Sequence, residues 1–298
     1  MRQPPRLALA ALLGLPLMLT SGCSLFPTTR KLPMPKAPLI TQTVPPDQLV
    51  AGLNDRWNAL KTLNATVDMQ LSVVKTKEGV AKDYTTIRGI ILMRKPEMLR
   101  VLGRVPVLGT RAFDMVSDGK KFTLWIPSKN KAMKGSNALK KRSASQIENI
   151  RPGFFFDSLV VRGLEPDDFY SVNAETVTVE DPQRKHLYSI PEYILSIRRR
   201  KPDSQQETPV RLIRFHRDDL LPYEQDLYDG NGDLETVVNY DAYQDYEGAK
   251  YPSIITIKRP LDEFQIVLTV EKVTENMELS DDQFQLKIPE GTDIQDLE

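Results

Sequence analysis

Catalysis needs titratable side chains that can converge, and this chain of 298 residues is poor in the most useful of them. It has two histidines, His186 and His216, and one cysteine, Cys23. Both histidines lie in strand-like stretches, and neither stands at a metal-ligand spacing. No G-x-S-x-G elbow, phosphate-binding P-loop or H-E-x-x-H helix occurs. The segment DGNGD places Asp229, Asn231 and Asp233 at the first three ligand positions of a calcium loop. Leu234 then stands where that loop requires glycine, and Tyr240 where it requires the closing glutamate. A turn between two strands accounts for the segment better. Two carboxylate pairs, Asp218 with Asp219 and Asp281 with Asp282, are adjacent in sequence and read as turn or cap residues. These features argue against an enzyme and point to no metal and no cofactor. Cys23 remains. A lone cysteine closes no internal disulfide, so its thiol is free, bridges two molecules or is modified.

What precedes Cys23 bears on that choice. Arg2 and Arg6 give a short positive start, residues 7–19 are apolar, and Thr20, Ser21 and Gly22 are small. That is the layout of a secretory signal. The apolar run is shorter than the roughly 20 residues a membrane-spanning helix needs. Leu19-Thr20-Ser21-Gly22-Cys23 resembles the bacterial lipoprotein signal, in which the cysteine becomes the first mature residue and is acylated. The aliphatic residue stands four places before the cysteine, at Leu19, where the lipoprotein pattern has it at three. The plainer alternative is a cleaved signal with a leftover thiol. The resemblance implies a signal peptide over 1–22 and lipidation at Cys23. Ser24, rather than an acid, implies the periplasmic side of the outer membrane. Residues 23–46 then form a tether: six prolines and no acid follow the cysteine, which favours a stiff, extended segment.

The tether carries a body over 47–298, long enough for one large domain or two small ones. The 40 basic and 40 acidic residues cancel overall but not locally. Residues 80–150 hold fifteen Lys/Arg against five Asp/Glu, and residues 218–298 hold five against twenty-one. Such a two-sided field suits a protein oriented beside an anionic membrane or a charged partner. No nucleic-acid-binding motif is present, so nucleic acid is not an expected partner.

A helix opens the body: Leu49, Val50, Leu53, Trp57, Leu60 and Leu63 fall at helical spacing, with Asp47 placed to cap. Its apolar stripe needs a surface, and short alternating segments supply one. About a dozen strands with hairpin-length turns are expected, including a hairpin turning at Asp118-Gly119. Helix and strand do not alternate, so no doubly wound parallel sheet is expected. An antiparallel sheet this long must curl, close or split. Residues 143–164 break the rhythm and read as two short helices separated near Pro152-Gly153, with Phe154, Phe155, Phe156, Leu159 and Val160 as a dense apolar patch. The expectation is a mainly β protein (α+β) with a bent antiparallel sheet and helices over its concave face.

Residues 89–127 resemble the LolA/LolB-like lipoprotein carrier and receptor superfamily. The matching features are Gly89, the step Pro96-Glu97-Met98-Leu99-Arg100, and the Asp118-Gly119 hairpin. PVLGT at 106–110 is similar to the Pro-Leu-Gly-Ser/Thr loop of the receptor branch, with one residue more. GFFFDSLVVRGL (153–164) is similar to the lid segment, and the strands from Tyr228 onward follow in the family's order. The resemblance implies an incompletely closed antiparallel barrel, a half-barrel of about eleven strands, with helices over its mouth. It also implies a chemistry-free function: holding acyl chains of a lipid or lipoprotein in an apolar cavity, with a periplasmic carrier protein among its partners. The lid or cavity residues would be Phe154, Phe155, Phe156, Leu159 and Val160, with Leu53, Trp57 and Leu60 from the first helix. The receptor's membrane-dipping leucine maps onto Leu108, with Val107 as the offset alternative, in an apolar loop that includes Val105. Two other readings stay open: an envelope sensor or assembly protein of the same fold that binds a protein, and an enzyme. The length of the chain leaves room for extra strands around 165–210.

Overall fold

Side chains of a strand alternate between two faces, and strand β1, Thr62–Lys75, shows what that alternation does here. Leu63, Ala65, Val67 and Met69 are buried, while Asn64, Thr66, Asp68 and Gln70 take the other face. The same division recurs in β3 (Ile87–Arg94), β4 (Met98–Arg104), β5 (Arg111–Ser117) and β6 (Lys121–Ile126). Every strand belongs to one sheet in this computed structural model, which describes residues 41–75, 79–137, 152–180, 187–201 and 205–297. The remaining strands are β2 (Val80–Asp83), β7 (Lys131–Ser136), β8 (Asp168–Glu180), β9 (Leu187–Arg200), β10 (Glu207–His216), β11 (Pro222–Tyr228), β12 (Leu234–Tyr246), β13 (Ala249–Arg259), β14 (Phe264–Glu275) and β15 (Asp293–Leu297).

The order across the sheet is β15-β7-β6-β5-β4-β3-β1-β14-β13-β12-β11-β10-β9-β8, with β2 paired to the far end of β1. Neighbours are antiparallel except β15, which lies parallel to β7. The two ends, β15 and β8, are not bonded to each other, so the barrel is open. The strand number corrects the expected eleven: the described residues form fifteen. Part of the surplus is β8, β9 and the start of β10, which fill the 165–210 stretch, and part is the short strands β2 and β15. The DGNGD segment is the β11–β12 turn. Asp229 Oδ1 accepts from the backbone N–H groups of Asn231 (2.9 Å) and Asp233 (3.0 Å), and no metal-binding cluster occurs among the described residues.

Two α-helices among the described residues cover the concave face, each over its own part of the sheet. Helix α1, Pro46–Ala59, lays Leu49, Val50 and Leu53 on Tyr193, Leu195 and Ile197 of β9 and on Ile213 and Phe215 of β10. Its N-cap is Pro45, with no side-chain cap. Asp47, expected to cap, instead sits in the first turn and accepts from the Tyr170 hydroxyl at 2.7 Å. Helix α2, Gly153–Leu159, is the second of the two helices expected in 143–164; the first, over 143–151, lies outside the described residues. So do Cys23, the signal segment and most of the tether. No helix among the described residues is long and apolar enough to cross a membrane.

Candidate functional site

Helix α2 is short, and side chains from the sheet hold its C-terminal half. Its last carbonyls lack partners within the helix. Tyr251 donates to the Leu159 carbonyl at 2.7 Å, and Gln225 donates to the Asp157 carbonyl at 2.8 Å and to the Tyr240 hydroxyl at 3.0 Å. Burial raises the phenols of Tyr240 and Tyr251 well above their ordinary range, so both stay neutral.

The three consecutive phenylalanines at the front of α2 serve different neighbourhoods, because a helix turns about 100° per residue. Phe155 stacks on Phe154 with centroids 4.4 Å apart. Phe154 leans on Phe264 (5.9 Å) and lies under the Arg259 guanidinium (5.1 Å). Phe156 meets Trp57 edge-on at 6.4 Å, which joins α2 to α1, and the Arg162 guanidinium lies over both rings, 4.7 Å from the centre of Phe156 and 5.8 Å from that of Trp57.

Beneath Phe155 lies an apolar hollow of about 410 Å³. Met69 and Leu71 of β1 and Ile266 of β14 form one wall, and Phe113 and Met115 of β5 with Leu124 and Ile126 of β6 form another. Two glycines shape it. A Cβ at Gly89 would come within 2.6 Å of the Met69 methyl, and one at Gly103 within 2.6 Å of the Phe113 ring. Both positions therefore leave room for hollow-lining side chains. Ile87, Phe113 and Ile126 place its mouth at the end of the sheet from which the β4–β5 loop projects.

That loop holds Val105, Val107 and Leu108. Val105 is half-buried and donates to the Thr110 carbonyl at 2.8 Å. Val107 is 104% and Leu108 73% exposed, so neither is a buried hairpin end. Val107 has φ +67°, and Leu108 N–H donates to the Pro106 carbonyl at 2.7 Å, closing a γ-turn around it. A β-branched residue in this left-handed region is strained, and the hydrogen-bonded turn sets two apolar side chains out in solvent beside the exposed Arg104 and Arg111.

On the other side of α2 is a larger cleft of about 860 Å³, lined by Phe154, Asp157, Arg162, Arg211 and Arg259 among others. It is charged, and its charges answer one another. Arg259 pairs with Glu235 (3.1 Å) and Asp262 (2.8 Å), and Arg211 donates to the Arg162 and Gly163 carbonyls at 2.7 Å each. Burial pushes the Asp157 carboxyl above its usual value against the pull of Arg162. Apolar surface gains most from enclosure where no charge must be desolvated with it, so the hollow suits a hydrocarbon chain and the cleft does not.

The sequence expectation treated eight residues as one lid-and-cavity set. Phe155 lines the hollow and Phe154 lines the cleft. Phe156, Leu159, Val160 and Leu60 are buried in the main core, and Trp57 packs against its edge. Leu53 belongs to the separate cluster under α1. The walls, Met69, Leu71, Phe113, Met115, Leu124 and Ile266, were not singled out. Their signal was the strand alternation itself, which marks a face but not whether that face is filled. Of the two histidines, His216 stacks on Tyr223 at 4.2 Å, and His186 lies outside the described residues.

No protein-family model matches the chain, and no curated protein matches it by sequence. Solved structures do. A LolA superfamily protein from Nitrosomonas europaea is 14% identical, with a TM-score of 0.50 over 82% of this chain and 99% of its own. A DUF1329 family protein from Desulfovibrio piger (14%, TM-score 0.49) is matched over 80% of this chain and 95% of its own. A domain described as a candidate outer membrane lipoprotein-sorting protein from Vibrio parahaemolyticus (12%, 0.48) is matched over 80% and 94%. At such identities the likeness is one of fold: this chain is an open antiparallel barrel with a LolA-like fold.

Proposed function

We propose that this protein holds the acyl chain of a lipid or lipoprotein in the hollow beneath Phe155, and serves lipid or lipoprotein transport or insertion at the outer membrane. On this reading Cys23 is acylated and anchors the body through the tether, and no chemistry is performed. The observation that carries the reading is the hollow of about 410 Å³ walled by aliphatic and aromatic side chains. Each methylene taken from water is worth about 0.8 kcal/mol, so a long chain supplies ample gross affinity without a charged contact. The projecting Val107 and Leu108 support the same reading, since they stand at the mouth end and suit the interface of a bilayer. Native mass spectrometry of the detergent-extracted protein tests it. Acylated Cys23 and a co-purified lipid are the expected masses, and a protein that carries no lipid and takes up none when offered would overturn the carrier role.

A second reading has its own observation. Strand β8 is thirteen residues long, contains no proline or lysine, ends the sheet, and exposes Phe169, Tyr170, Val177 and Val179. Edges of this kind are templates for strand addition. A sensor or assembly protein that pairs a partner's strand on β8 would have the same fold, and pull-down with β8 variants separates the two.

A further inference from the structure

We propose that the rim of the hollow selects an anionic head group: Lys129, with Lys82 beside Tyr84, receives the carboxylate or phosphate of the amphiphile whose tail lies beneath Phe155. The inference rests on the acyl-chain reading and adds the class of ligand to it.

Among the described residues Lys129 is the one charged side chain lining the hollow, and it is exposed at the mouth. The other polar lining residues among those described are Tyr84 and Thr85, on the segment that joins β2 to β3. Lys82 reaches the same rim. It lies opposite Val73, whose side chain packs on the core, and its ammonium sits 5.0 Å from the centre of the Tyr84 ring. Neither lysine has a carboxylate partner among the described residues, although carboxylates are close in sequence. Asp83 accepts from Ser72 at 2.6 Å, opposite a residue on the other face of β1. Asp114 is buried and bound by Arg100 (2.8 Å) and Arg111 (3.2 Å).

The Lys129 backbone is fixed in advance. It ends a single 3₁₀ turn, Pro127–Lys129, closed by Asn130 N–H to the Pro127 carbonyl at 2.9 Å. Asn130, with φ +47°, ties that turn to the C-terminal segment: its side chain donates to the Gly291 carbonyl (3.0 Å), and its carbonyl accepts from Asp293 (3.0 Å). A cation on a fixed backbone, with no counter-ion among the described residues, at the lip of a hydrocarbon-lined space, is what an anion attached to a buried chain would meet. Its field is felt more strongly there than in open water, because the hollow beside it is of low dielectric.

The test is displacement of a fluorescent fatty-acid probe from the full chain by four single-chain competitors of equal length: a free carboxylate, its methyl ester, a phosphate monoester and a phosphocholine ester. The wild type is expected to prefer the two anions over the methyl ester by about tenfold, with the gap narrowing in high salt. The ratio of carboxylate to phosphate then says whether a fatty acid or a phospholipid head is the better match. Lys82→Ala with Lys129→Ala should abolish the preference, and Lys129→Glu should turn it toward the methyl ester. Equal binding of ester and anions by the wild type, or a preference that survives in the double alanine variant, would overturn the selectivity while leaving the acyl reading standing. Failure of all four to displace the probe, or of the probe to bind, would overturn both.

Discussion

Narrowing the hollow should weaken binding in proportion to the chain it displaces. Leu71 is the site of choice. It is half-buried on the central strand β1, faces the hollow, and pairs with Ile266 on β14. Tryptophan is well suited to a strand, and in Leu71→Trp the indole has one roomy direction, into the space of about 410 Å³. A chain of about sixteen carbons gains on the order of 10 kcal/mol on enclosure, less several kcal/mol for lost freedom. If the indole displaces about five methylenes, the loss is about 4 kcal/mol, or nearly a thousandfold in Kd. A chain of about eight carbons, which needs only part of the space, should lose roughly tenfold or less. Displacement of a fluorescent fatty acid measures both, with thermal unfolding confirming a folded variant. Leu71→Ala is the companion: it widens the same wall and should keep the long chain bound. A folded Leu71→Trp protein that binds long and short chains like the wild type would show that the tail lies somewhere else.

Other consequences follow from the same geometry. Val107→Gly relieves a left-handed β-branched residue, so it should stabilise the protein by about 1 kcal/mol in chemical denaturation while weakening its association with phospholipid vesicles. A loop with no membrane role would show the first effect without the second. Gly103→Ala places a methyl within 2.6 Å of the Phe113 ring and 3.0 Å of Ile87 Cδ1, driving the ring into the hollow, so the preferred chain length should fall by a few carbons in a competition series. Asp157 titrates above its usual value in the folded protein because burial outweighs Arg162. A raised carboxyl contributes stability below its unfolded value and loses it as pH rises through the folded one. Unfolding by urea should therefore show stability falling over that interval, modestly because a third of the side chain remains exposed, and Asp157→Asn should flatten the slope.

The local grammar of the sheet was readable from sequence wherever a side-chain pattern and a turn residue agreed. Asp118-Gly119 is such a place: Gly119 has φ +90°, and Asp118 accepts from the N–H groups of Lys120 (2.9 Å) and Lys121 (2.7 Å). Strands without a buried face were harder. The first half of β8 alternates little in hydropathy because almost all of it is exposed. Segments 186–190 and 193–199 read as two strands on either side of Pro191, yet β9 runs through that proline. Pro191 pairs only with β8, beyond the end of β10's pairing, so its missing N–H breaks no ladder between two neighbours. β15 was invisible for a different reason: its place beside β7 is a contact between residues more than 150 positions apart, which no local pattern encodes.

The hollow marks the limit of sequence reading for function. Met69, Met115 and Leu124 are indistinguishable by type from Leu63, Met93 and Leu99, which are fully packed. The difference comes from what lies above them. α2 is about two turns long, while the sheet of the described residues has fifteen strands, so α2 covers only part of the concave face, and α1 is spent on β9 and β10. A longer α2, or an α1 laid over β1 and β5, would bury the same residues and leave no space. The phenylalanine patch was legible as apolar, but only the helical rotation separates Phe155 over the hollow from Phe156 against Trp57. Among the described residues the hollow thus reflects a mismatch between the area of a curved sheet and the length of its cover. Substitutions that extend or shorten the cover should matter more to it than conservative changes in the walls.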